Sequence, residues 1–121
     1  NRTKAHNTMS QLARRINEDN LSIWMFPEGT RNRGRGLLPF KTGAFHAAIS
    51  AGVPIIPVVC STTHNKINLN RWDNGKAICE IMEPMEVSGY TEDKVRDLAA
   101  YCHDLMEKRI AELDEEIAKG N

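Results

Sequence analysis

The stretch from Leu21 to Cys60 constrains the fold of this chain more than any other. Leu21-Ser22-Ile23-Trp24-Met25-Phe26 is mostly apolar and reads as a buried strand. Pro27 ends it, having no N–H to give to a central ladder. A loop over 27–40 follows, with Gly29, Gly34, Gly36 and Pro39 for turning and Arg31, Arg33 and Arg35 for charge. From Lys41 or Thr42 to Ser50 or Ala51 the chain is Ala-rich and predicts a short helix, which Gly52 is placed to stop. Val53 to Cys60 is apolar again, with Pro54 at its start; Pro57 inside it implies a bulge or an edge. Strand, loop, helix, strand is a β-α-β unit, with a right-handed crossover and parallel strands. The expected class is therefore α/β: a β-α-β core in a mixed, mainly parallel sheet with flanking helices. Ligands of such sheets sit at the carboxyl ends of the strands. The arginine-rich loop leaves strand 21–26 at that end.

The flanks follow from periodicity. Ala5, Met9, Leu12, Ala13 and Ile16 recur at spacings of three and four, which predicts a helix over 3–17 before the polar break Glu18-Asp19-Asn20. Residues 61–76 are polar. Asn74-Gly75 within them predicts a hairpin joining a strand near 66–72 to one at 77–82. Thr91, with Glu92 and Asp93 behind it, caps a long C-terminal helix to about Lys119. Val95, Leu98, Cys102, Leu105, Ile110, Leu113 and Ile117 form its apolar stripe, and its Glu- and Lys-rich end is expected to project into solvent. No repeat or linker divides residues 1–121.

Hydrophobic residues make up 40% and charged residues 26% of the 121 residues, which excludes a disordered chain. Lys plus Arg and Asp plus Glu are 16 each, so a generally basic nucleic-acid binder is not expected. The balance hides a polarity: residues 1–80 hold 11 basic and 5 acidic side chains, residues 81–121 hold 5 and 11. A positive face that handles an anion is expected in the first part. No run of about 18 apolar residues spans a membrane. Cys60, Cys79 and Cys102 are odd in number and form no C-x-x-C pair, which predicts reduced thiols rather than a disulfide or zinc site. The chain begins with Asn1 rather than Met, so it is expected to be part of a longer protein.

The loop Pro27-Glu28-Gly29-Thr30-Arg31-Asn32-Arg33-Gly34-Arg35-Gly36 carries the chemistry. Its glycines let backbone N–H groups approach an anion, and guanidinium forks match phosphate oxygens. Lys41 adds a further cation. A solvated surface loop with scattered charges is the plainer alternative. Glu28 either orients an arginine or accepts from a substrate, or caps the loop's own N–H groups. Gly36 to Thr42 is no P-loop, since Phe40 stands where the second glycine should be, and G-x-G-x-x-G fails as well. His6 and His103, on outer helices, are expected to be solvated, His46 half-buried and His64 in a polar loop. No Ser-His-Asp set and no metal-ligand spacing appear.

Phe26-Pro27-Glu28-Gly29-Thr30-Arg31 resembles a signature of the glycerolipid acyltransferases, most closely the bacterial 1-acyl-glycerol-3-phosphate (lysophosphatidic acid) acyltransferases. The resemblance continues through Arg33-Gly34-Arg35-Gly36, Phe40-Lys41-Thr42-Gly43-Ala44, Val53-Pro54-Ile55-Ile56-Pro57-Val58 and Asn65-Lys66-Ile67-Asn68 into the final helix. It implies transfer of a fatty acyl group from acyl-CoA or acyl-carrier protein to lysophosphatidic acid, with no metal and no dissociable cofactor beyond the donor. It implies that Glu28, Gly29, Thr30 and Arg31 bind the acceptor phosphate. Arg33, Arg35 and Lys41 are additional candidates, and Phe26, Pro27, Val53, Pro54, Ile55 and Pro57 are motif positions of structural use. The family's H-x-x-x-x-D dyad, in which His is the general base, is missing. Five residues after His6, His46, His64 and His103 stand Gln11, Ala51, Leu69 and Lys108. The resemblance thus implies the C-terminal part of a larger acyltransferase domain. Its dyad and any membrane anchor would lie upstream, and the whole enzyme would work at the cytoplasmic face of the inner membrane. A non-catalytic anion- or RNA-binding module, or a relative using another glycerophospholipid acceptor, is the competing reading.

Overall fold

The computed structural model describes residues 2–120. Three helices carry it: α1 (Arg2–Glu18), α2 (Gly43–Ala51) and α3 (Val95–Lys119), with strands β1 (Val58–Cys60) and β2 (Cys79–Ile81) between α2 and α3. α2 packs on α1 and on α3, and α3 also supports β1. Asn17 Nδ2 donates to Ala51 O at 3.0 Å and fastens the end of α1 to the end of α2. Gly52 ends α2 as the sequence predicts. Its φ of +68° is the left-handed conformation, and its N–H meets the carbonyls of Ala48 and Ile49.

The core sits between α2 and α3. Phe45 and Ala48 of α2 meet Leu98, Ala99 and Cys102 of α3, and Met85 and Val87 close the end. Phe40 stacks on Phe45 at 6.0 Å between ring centroids. Before α3, a short 3-10 turn over Glu92–Lys94 replaces the expected cap geometry. Thr91 Oγ1 donates to the Asp93 carboxylate rather than serving a backbone N–H. At the end of α3, Glu115, Glu116, Ala118 and Lys119 are exposed as the sequence predicts, but the turn before them is held. Leu113 is buried, and Asp114 accepts from both Thr62 N (2.8 Å) and Thr62 Oγ1 (2.7 Å). Arg109 donates to both oxygens of Glu80 on β2, at 2.7 and 2.9 Å.

The parallel β-α-β sheet is not what forms. β1 pairs antiparallel with β2, Val59 opposite Glu80, and an isolated bridge joins Ile55 to Met85. Residues 21–26 belong to no strand among the described residues. Their burial still alternates as in a strand: Leu21, Ile23 and Met25 are about 40% exposed, Trp24 and Phe26 69% and 78%. The segment has strand character but bonds to no neighbouring strand among the described residues. The Asn74-Gly75 hairpin is absent too. Neither residue has a positive φ, which the tight two-residue turn requires. Asn74 instead ties its side chain to Asn68 and Arg71. The cysteine expectation is corrected as well. The register sets Cys60 opposite Cys79, Cα atoms 4.0 Å apart, and their sulfurs are joined. Only Cys102 is free.

Candidate functional site

Residues 27–41 form a closed loop at the entry to α2. Lys41 N donates to Pro27 O at 2.8 Å and joins the two ends. Glu28 turns inward and accepts from Leu38 N at 2.9 Å through Oε2, so its carboxylate pins the loop from inside. Gly29 N donates to Phe26 O, and Gly29 has a φ of +73°. The Lys41 side chain lies directly over it: a Cβ at Gly29 would fall 2.7 Å from Lys41 Cε. The Lys41 chain is flexible and can yield, so it is the positive φ that makes glycine the residue that fits. The Lys41 side chain thus sits beside Glu28-Gly29-Thr30.

The outer half of the loop is a polar knot on Asn32. Asn32 Oδ1 accepts from Gly34 N at 2.9 Å. Its carbonyl accepts from Arg35 N and, at 2.8 Å, from Arg35 Nε. Arg35 Nη2 also donates to Arg31 O at 3.3 Å. The guanidinium of Arg35 therefore holds backbone. Arg31, Arg33 and Lys41 are exposed and make no side-chain bond among the described residues. Thr30 is exposed beside them. His64 reaches in from the next loop, so close to Gly34 that a Cβ there would fall 2.5 Å from His64 Cδ2.

Sequence reasoning missed His103. It is not solvated: its Nε2–H donates to Leu37 O at 3.1 Å, and Phe40 meets its ring edge-on at 4.9 Å. α3 thereby props the loop from behind. Leu37 and Phe40, apolar residues inside a polar loop, were the available signal. His103, Asp104 and Glu107 bring donor atoms within 4.8 Å of one another on one turn of α3, but one nitrogen of His103 is already engaged. The motif positions 53–57 follow α2 in the chain. Ile55 bridges to Met85, and Pro57 is buried with its carbonyl accepting from Met82 N at 2.8 Å. Val53 is half-buried and Pro54 exposed. Phe26 stands out beside Trp24, rings 6.3 Å apart.

The loop can receive an anion, but the described residues assemble no nucleophile or base. His46 Nδ1 is buried without a hydrogen-bond partner among them. Burial pushes the Cys102 thiol up to about 11, the reverse of what a reactive thiolate needs.

Residues 1–61 match the family described as acyltransferase. The chain is 94% identical over 121 residues to the 1-acyl-sn-glycerol-3-phosphate acyltransferase of Haemophilus influenzae, covering 100% of this chain and 50% of that one. It is 64% identical over 119 residues to the protein of the same name from Escherichia coli, covering 98% of this chain and 49% of that one. The crystal structure of the 1-acyl-sn-glycerophosphate (LPA) acyltransferase PlsC from Thermotoga maritima matches with a TM-score of 0.66 at 28% identity. That match covers 87% of this chain and 43% of that one. The chain thus spans about half the length of the curated relatives it matches.

Proposed function

Because the chain belongs to the acyltransferase family, we propose that it is the phosphate-recognition and scaffold part of a 1-acyl-glycerol-3-phosphate acyltransferase. The whole enzyme would transfer a fatty acyl group from acyl-CoA or acyl-carrier protein to the free hydroxyl of lysophosphatidic acid, giving phosphatidic acid. One observation carries the reading: loop 27–41 is closed on itself while Arg31, Arg33 and Lys41 keep their charges unpaired among the described residues. A phosphate monoester fits such a site. Arg31 offers a planar fork for two of its oxygens, and Lys41 a compact charge over Gly29. Glu28 acts through Leu38 to hold the loop in shape, and Gly29, whose N–H is given to Phe26 O, sets the turn after which Thr30 presents its backbone N–H.

The reaction needs a general base on the acceptor hydroxyl. In this proposal the base belongs to polypeptide outside these 121 residues, because no histidine here has an aspartate five positions on. A lipid acceptor and product support a whole enzyme that works at a membrane, in this proposal the cytoplasmic face of the inner one. No described helix is long and apolar enough to cross a membrane.

The test is acceptor competition with the intact protein. It is given a labelled acyl donor and, in turn, lysophosphatidic acid, glycerol 3-phosphate and lysophosphatidylcholine. Labelled phosphatidic acid from the first acceptor is expected. Equal kcat/KM with lysophosphatidylcholine would overturn recognition of a monoester. Preference for glycerol 3-phosphate would move the protein to another acceptor class.

A further inference from the structure

Leu69 and Trp72 are 94% and 103% exposed, the most exposed large apolar side chains among the described residues, and they share one loop. That loop is not loosely held. Asn74 donates to Asn68 O and Arg71 O and accepts from Asn68 N, and Asn68 Oδ1 accepts from Asn70 N. Arg71 N donates to Asn68 O as well. A knot of polar bonds thus fixes the tip in a shape that turns its two apolar residues outward. At the neck the two limbs run side by side, a Cβ on Gly75 falling 3.9 Å from Lys66 O. Lys66 and Lys76 therefore flank the neck, one on each limb, exposed and without a side-chain partner among the described residues. Asp73, the only acidic residue of the loop, is paired with Arg71 at 2.9 Å.

We propose that loop 66–76 is a membrane-contact element that seats Leu69 and Trp72 in the interfacial layer of an anionic bilayer, with Lys66 and Lys76 among the lipid phosphates. Exposed apolar side chains held on a rigid polar frame mark a contact surface. Tryptophan favours the headgroup level, where its ring is buried and its N–H stays wet. Lysines one step back from an apolar tip match the charge of an anionic leaflet. The Arg71–Asp73 pair adds no net charge at the tip, so its approach to lipid carries no unpaired ion. The proposal rests on the lipid-acceptor reading only for the presence of a bilayer.

The experiment reads lipid contact rather than acyl transfer, so the two readings fail separately. The intact protein is labelled with fluorotryptophan. The fluorine resonance absent from Trp72→Phe is Trp72. Vesicles of phosphatidylethanolamine and phosphatidylglycerol carrying a headgroup nitroxide lipid are then added. The Trp72 resonance is expected to broaden with these vesicles and far less with phosphatidylcholine vesicles. Lys66→Gln and Lys76→Gln should each raise the vesicle concentration needed by about fivefold. A Trp72 resonance unaffected by the nitroxide vesicles would overturn the proposal. So would shielding from a soluble paramagnet before lipid is added, since the loop would then be packed against protein. Perturbation by acyl-carrier protein alone would assign the loop to a protein partner instead, and also overturn it.

Discussion

A guanidinium at Arg31 can meet a phosphate with two parallel charge-assisted bonds, and nothing among the described residues competes for it. Hydrogen bonds to charged groups contribute roughly 1.5–3 kcal/mol net, which is about a 10- to 150-fold loss on deletion. The phosphate does not react, so Arg31→Ala should raise the acceptor KM and leave the donor KM little changed. Arg31→Lys should recover only part of the loss, keeping charge without the fork. Arg33 and Arg35 look equivalent in sequence, but the structure separates them. Arg35 holds Asn32 O and Arg31 O, so Arg35→Ala should act by loosening the loop around Arg31, largely independently of salt. Arg33 is solvated, and Arg33→Ala should have a small effect that fades as salt rises. Steady-state kinetics of the intact protein, both substrates varied at two ionic strengths, checks the series. An acceptor KM and kcat/KM within about twofold of wild type for Arg31→Ala, well under the tenfold that 1.36 kcal/mol represents, would make Arg31 a bystander.

Between elements, the long helix is tied to the small sheet by charge. Arg109 on α3 bonds both oxygens of Glu80 on β2 and also meets Glu112 at 2.8 Å. The Arg109 bond is the main reason the Glu80 carboxyl lies below its ordinary value of 4.5. A carboxylate with a depressed folded-state value binds fewer protons folded than unfolded. Its contribution to stability is present above pH 4.5 and is lost as pH falls through the folded value. Arg109→Ala should therefore unfold at lower urea near neutral pH, and its deficit should shrink below pH 4.5. Urea midpoints of both proteins across that range decide it; a deficit independent of pH would mean that Arg109 acts through packing alone. This tie joins positions 29 apart in the chain, which is why sequence reading did not find it. What was legible was local: the periodicity of α1 and α3, the Ala-rich run of α2 and the Gly52 stop, and the Arg-Gly loop itself. Pairing was not legible, because it depends on which segments meet. Leu21–Phe26 has the composition of a strand and found no ladder, and Cys60 met Cys79 through a register that residue spacing does not encode. Likewise, nothing in the sequence distinguishes Arg35 from Arg33, or shows His103 holding Leu37.

Across the whole molecule, apolar surface is unevenly covered. The α2–α3 core is closed, with Leu98 at 0% and Phe45 at 2% exposed, while Trp24, Phe26 and Ile56 stand at 69%, 78% and 54%. Trp24 and Phe26 lie on the outer parity of a segment whose inner parity is only partly covered. Residues 22–25 also have no backbone hydrogen bond to other backbone among the described residues. Such a segment combines the two features that drive edge-to-edge association, unsatisfied ladder groups and apolar side chains. Burying one large apolar side chain contributes about 1.5–3 kcal/mol, which favours weak association of this face at high concentration. The 121-residue chain alone should therefore self-associate, and Trp24→Lys with Phe26→Lys should suppress this without disturbing α2 and α3. Those elements pack through Phe45, Ala48 and Leu98. It should also show no transfer from acyl-CoA to lysophosphatidic acid, since it holds no histidine–aspartate pair at the family spacing. Light scattering across a concentration series, with circular dichroism as the check on helix content, tests the first point. A monodisperse monomer at the highest concentration, for wild type and double variant alike, would mean that this apolar patch is inert in water.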